Sequence, residues 1–170
     1  AVHFNVVSRP NVLVKTAHVI KERGELSEAK QLQLDFWTEF RDLLLEKNVL
    51  PSAQTPGPRY WFDVALGKRG VYLSNIANTT EGRLGIRVYL QHENADNLLA
   101  ELESQKNEIE SELNEELQWN PNPDHTHKVI ALYRDVELAD RAKWPEYLEW
   151  MVDRVAKFRS TFGPRVKQLP

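Results

Sequence analysis

Two stretches of this 170-residue chain hold side chains whose types and spacing could do chemistry, and each stops short of a complete set. In Asp124-His125-Thr126-His127 the alternation could turn both imidazoles to one side, as a bound metal ion would need. Spacing fixes no third ligand, and a proline-flanked loop usually leaves such histidines solvated, so no metal is assigned. Asp63 could begin the metal-dependent nuclease pattern, in which an acidic residue on one strand and Glu-x-Lys on the next hold Mg²⁺ and position a water. The following strand reads Val71-Tyr72-Leu73-Ser74-Asn75, without the second carboxylate or the lysine. Neither GxGxxG nor GxxxxGK[ST] occurs, so a phosphate loop has no support, and GxSxG is missing too. There is no cysteine, which excludes a disulfide scaffold, a thiolate zinc site and a cysteine nucleophile. No catalytic residue and no cofactor are assigned within the chain.

The remaining candidate is a surface, and seeing it requires the elements that carry it. From Ser27, a plausible N-cap, apolar residues at Leu32, Phe36, Phe40, Leu43 and Leu44 recur at three- and four-residue steps, predicting a helix that ends near Asn48. Residues 51–58 hold three prolines and a glycine and must run extended. Residues 60–66, 71–77 and 84–91 alternate in hydropathy, and turns at 67–70 and 78–82 make them an antiparallel meander. An acidic helix over 93–118, a strand over 129–133 and a last helix begun by Pro145 and stopped by Gly163-Pro164 complete the chain. Tyr147, Leu148, Met151, Val152, Val155, Phe158 and Phe162 form the stripe of that last helix. The order predicts an α+β fold, helices layered on a sheet. Residues 26–170 form one domain, preceded by a linker or edge segment over 1–25.

Closing the two turns pairs Leu66 with Val71 and Asn78 with Arg83, which fixes both registers. One face of the meander then collects Phe62, Val64, Leu73, Ile86, Val88 and similar residues, and is core. The other collects Trp61, Asp63, Tyr72, Ser74, Arg87 and Tyr89, aromatic and polar together. Asp63, Ser74 and Arg87 fall in one cross-strand row, with Arg87 able to lean over the small serine to the carboxylate. If this face is open, Trp61, Tyr72 and Tyr89 are placed to stack bases while Arg87, Lys68 and Arg69 meet phosphates. If a helix covers it, the same residues are a satisfied buried layer. Lys68 and Arg69 stand at the expected hairpin tip, where solubilisation is the plainer role.

Charge is partitioned along the chain. The net charge of -3 arises almost wholly from residues 93–118, which hold nine Asp/Glu and one Lys. A solvated helix face is the ordinary explanation, and protein docking the other. The absence of cysteine makes the cytoplasm the expected setting, and no apolar run approaches the ~20 residues that span a bilayer, so no membrane contact is expected.

Tyr60-Trp61-Phe62-Asp63, Gly67-Lys68-Arg69-Gly70, Leu73-Ser74, Asn78-Thr79, Arg87-Val88-Tyr89, Leu132-Tyr133-Arg134, Trp144 and Phe158-Arg159 together resemble the bacterial and archaeal family called domain of unknown function 4268, over roughly 36–167. The resemblance carries no activity. It implies a place in the C-terminal part of longer proteins whose N-terminal part is restriction-endonuclease-like, and Phe4-Asn5-Val6-Val7-Ser8 is similar to the junction before the domain. Any catalytic carboxylates would then lie upstream. The expected function is a non-catalytic, nucleic-acid-associated domain of a nuclease-like, defence-related bacterial protein, its partners being nucleic acid and that upstream domain. The alternative is a docking or homodimerisation module using the acidic helix or the last helix.

Overall fold

Ser27 caps the first helix as its type suggests, its Oγ accepting the Lys30 N–H at 3.2 Å in the computed structural model, which describes residues 26–91 and 93–170. Residues 1–25, expected as a linker or edge segment, lie outside the described residues. Helix α1 (Glu28–Glu46) buries Leu32, Phe36, Trp37, Phe40 and Leu44, the face its spacing predicts. The meander follows as β1 (Trp61–Lys68), β2 (Val71–Asn78) and β3 (Arg83–Leu90). Then come α2 (Ala95–Glu103), α3 (Lys106–Leu113), β4 (Gln118–Trp119), β5 (Lys128–Asp135), a single 3₁₀ turn at Arg141–Lys143 and α4 (Trp144–Lys167). The five strands form one antiparallel sheet in the order β1-β2-β3-β5-β4, so the fold is α+β.

Both expected registers hold through the body of the meander, with Asp63 opposite Ser74 and Ser74 opposite Arg87. They fail only at the first turn. Lys68, not Leu66, pairs with Val71, because the register shifts between Ala65 and Lys68. Gly67 and Gly70, at φ of 91° and 79°, permit this tighter turn, since L side chains avoid that region. Lys68 therefore ends a strand instead of standing at the tip. Its Nζ donates to the Pro170 carbonyl at 3.1 Å, leaving Arg69 as the exposed turn cation.

Three helical expectations need correction. The acidic helix is two, broken at Ser104 and Gln105, where Ser104 Oγ donates to the Glu101 carbonyl at 2.6 Å and Arg165 Nε donates to Gln105 Oε1 at 2.8 Å, which holds the corner against α4. Asn114, left-handed at φ 54°, ends α3 before residue 118. Helix α4 runs through Gly163-Pro164 to Lys167. Pro164 and Ser160 are both exposed, so water can take the carbonyl that the proline leaves free, while burial of Val166 rewards the extra turn.

The core gathers the apolar stripes of all four helices against Phe62, Val64, Leu73, Ile86, Val88 and their neighbours on one face of the sheet. Asn75, the lone polar residue on that face, is fully buried and donates to the Phe62 carbonyl at 3.0 Å. Ile76 and Ala131, buried on the opposite face, stand outside this cluster. Among the described residues, no helix covers that second face. None of the helices is long and apolar enough to cross a membrane.

Candidate functional site

The uncovered face is a grid whose positions follow from register. Its middle row is Asp63, Ser74, Arg87 and Ala131, flanked by Ala65-Tyr72-Tyr89-Val129 on one side and Trp61-Ile76-Gly85-Tyr133 on the other. Trp61, Asp63, Tyr72, Arg87 and Tyr89 are all half-buried, and Ser74 is buried between its row-mates. Gly85 is required where it stands. A Cβ there would come within 2.4 Å of the Tyr133 ring, which lies across it. Arg83 stacks over the same ring at 3.9 Å and pairs with Glu81 at 2.9 Å.

Within the middle row the serine acts as a bridge. Arg87 Nη2 donates to Ser74 Oγ at 3.0 Å, and the same serine, paired in register with Asp63, helps hold the carboxylate form of that residue. The expected direct reach of Arg87 to Asp63 does not occur, because no ion pair within 4.0 Å joins them: two strand spacings separate the backbones, and the hydroxyl between takes the guanidinium first. Two atoms of the row stay unpaired and buried, Asp63 Oδ1 and Arg87 Nε. Burial pushes the Asp63 carboxyl above its usual range, and the Ser74 hydrogen bond, Arg87 and Arg59 only partly counter it. Burial also raises the Tyr72 phenol, with the Asp63 and Tyr89 charges acting in the same direction.

The aromatic side chains occupy one another more than the sequence suggests. Tyr72 and Tyr89 are stacked as their pairing requires, with centroids 5.3 Å apart and planes at 20°. His127 lies against Tyr89 at 5.5 Å, and Arg87 stands over it at 5.2 Å. Arg59 covers Trp61 at 5.0 Å, and Tyr60 meets Trp61 edge-on. Tyr60 itself is 50% exposed, the one large hydrophobic side chain so open among the described residues.

Two loops wall the face. Trp37, buried in α1, donates its indole N–H to the Arg59 carbonyl at 2.8 Å, and Arg41 Nε donates to the Gln54 carbonyl at 3.0 Å, so the extended 51–59 segment is tied down beside β1. From there the Gln54 side chain accepts the outward N–H of Asp63. On the far side the β4–β5 connection folds up against Tyr89. Its base is pinned by Lys128, nearly buried, donating to the Pro123 carbonyl at 2.8 Å. Between this hairpin and Tyr60 lies a pocket of about 590 Å³, lined also by Arg87, Tyr89, Asn122, His125 and His127.

Six of the eight site residues read from sequence thus share this face, Arg87 and Tyr89 at the pocket itself, whereas Lys68 and Arg69 do not line it. Tyr60, Asn120, Asn122 and the two histidines were missed as pocket residues. The available signals were the exposed ring just before β1 and the Asn-Pro-Asn-Pro run, legible only as a helix break. Among the described residues no cluster of three His, Cys, Asp or Glu side chains could hold a metal ion. Comparison with known proteins finds one family model, described as a domain of unknown function (DUF4268), matching residues 32–166. No curated protein and no solved structure matches the chain.

Proposed function

Because the chain belongs to the DUF4268 family, whose description assigns no activity, we propose from the geometry that it is a non-catalytic binding domain which takes nucleic acid on the uncovered sheet face. The observation that carries this reading is an antiparallel sheet face on which none of the described helices lies, lined by Trp61, Tyr72 and Tyr89, with Arg59 and Arg87 among them and a pocket at its side. Aromatic rings and arginines on an open sheet are the pairing by which bases and phosphates are held together. In this reading the domain serves substrate selection for an upstream nuclease-like, restriction-endonuclease-type part of a defence-related bacterial protein.

The docking alternative has less to work with. The apolar stripe of α4 is spent inside the domain, and Arg154 and Arg165 tie α4 to Glu115 and Glu112 of the acidic region. The test is fluorescence anisotropy of a labelled oligonucleotide across a salt series. Binding on this face should weaken with a log–log slope near -0.7 to -0.9 per phosphate neutralised, and should fall away in Arg87→Ala. Binding that ignores salt, or no binding even at low salt, refutes the reading.

A further inference from the structure

Resting on the reading above, we infer that the strand held on this face is single, with one unstacked base seated in the pocket between Tyr60 and the 120–127 hairpin. Three observations exclude a duplex in favour of exposed bases. The first is the scarcity of free cations. Around the face, Arg83 is already paired with Glu81 and Lys68 is turned onto the carbonyls of Leu169 and Pro170, which leaves Arg59 and Arg87 as its cations among the described residues. Duplex binding depends on many phosphate contacts at once, and two arginines cannot supply them.

The second is the carboxylates. Asp63 sits in the middle row and Asp124 lines the pocket, so a phosphate-rich surface brought flat onto the face would meet both. A base edge would not be repelled, because it donates as well as accepts.

The third is the pocket itself. Its volume of about 590 Å³ falls within the ~300–1,000 Å³ of small-ligand sites. Tyr60, half open at its rim, presents more free ring surface than Tyr72 and Tyr89, since those two stack on each other and His127 closes on Tyr89. The asparagine, threonine and histidine side chains of the hairpin supply the polar groups that a base edge needs. A base inside a duplex cannot reach such a pocket without leaving its stack.

The experiment compares three fluorescein-labelled probes of about 12 nucleotides, a length within the span of such sites: a single strand, its duplex, and a single strand with abasic sites throughout. Each is run as DNA and as RNA against the whole chain and against Tyr60→Ala. The single strand should bind best, with the abasic probe and the Tyr60→Ala protein each weaker by about 5- to 150-fold. Tyr60→Ala should unfold at the same temperature as the parent. An abasic probe held as tightly as the intact strand, or a duplex held equally well, overturns the inference while leaving nucleic-acid binding by the face in place. If none of the probes binds at low salt, both fall together.

Discussion

Arg87→Ala separates a middle row that supports the sheet from one that merely decorates it. The guanidinium makes one charge-assisted hydrogen bond, to Ser74 at 3.0 Å, worth ~1.5–3 kcal/mol, and one contact over the Tyr89 ring at 5.2 Å, worth ~0.5–1 kcal/mol at exposed sites. Arg87 is only half-buried, so water replaces part of what is lost and the lower ends apply. Truncation should therefore cost about 2 kcal/mol, a fall in Tm of about 4–8 °C for a domain of this size. The loss should appear in urea unfolding as a lower midpoint with an unchanged m-value.

The partner substitution makes the test specific. Burial holds the Asp63 carboxyl above its ordinary range, so the folded state keeps that proton longer than the unfolded chain. Such a group favours the fold below the unfolded carboxyl pKa of ~3.9, and that contribution is lost as pH rises through the higher folded value. Asp63→Asn should accordingly gain stability over the parent when both are measured near pH 7 and not near pH 3. In the Arg87→Ala background the gain should be larger, because the cation that offset the carboxylate is gone. Equal effects of Asp63→Asn in both backgrounds would show that the row is not electrostatically coupled. A loss under about 0.5 kcal/mol in Arg87→Ala would refute its supporting role.

The remaining outcomes concern packing and the acidic region. Phe158→Ala, at a fully buried position facing Phe162, should cost ~3–5 kcal/mol, and Trp150→Ala, only partly buried, less than half as much by chemical denaturation. Gly85→Val should destabilise the sheet by ~1–3 kcal/mol or more and shift the Tyr133 ring resonances, since the new side chain needs the space that the ring occupies. Arg165 holds the Glu112 carboxyl below its usual range, which is stability present above the unfolded carboxylate pKa and lost as pH falls. Arg165→Gln should flatten the acid limb of the stability–pH curve; an unchanged limb would show that this pair adds nothing.

Alternation and turn residues carried most of the meander, because a period of two with a glycine or asparagine at each bend leaves few registers in which one face stays apolar. That is why Asp63, Ser74 and Arg87 could be set in one row from sequence. Their contacts could not, since whether an arginine reaches a carboxylate or stops at the hydroxyl between them depends on rotamers. The pocket was hidden for a different reason. Its walls are loops held by side-chain-to-carbonyl ties, Trp37 reaching the Arg59 carbonyl from another element and Lys128 the Pro123 carbonyl across its own loop, and no hydrophobic period encodes either. Strand β4, at two residues, is too short for any periodicity to reveal.

Alternation along the strands leaves open whether a helix covers the aromatic face, and the apolar stripes of the described helices contain the answer. A helix that covers a second sheet face needs an apolar stripe to lay on it, and each helix here has one. In α1 that stripe is Leu32, Phe36 and Phe40; in α2 and α3 it is Leu98, Leu102, Ile109 and Leu113; in α4 it runs from Tyr147 to Phe162. All of them meet the single cluster built on Phe62, Leu73 and Ile86. With every stripe used once on that side, nothing among the described helices remained to cover Trp61, Tyr72 and Tyr89. A half-polar face cannot attract a helix that has no apolar side to spare, so counting stripes against sheet faces decides what alternation along the strands alone leaves open.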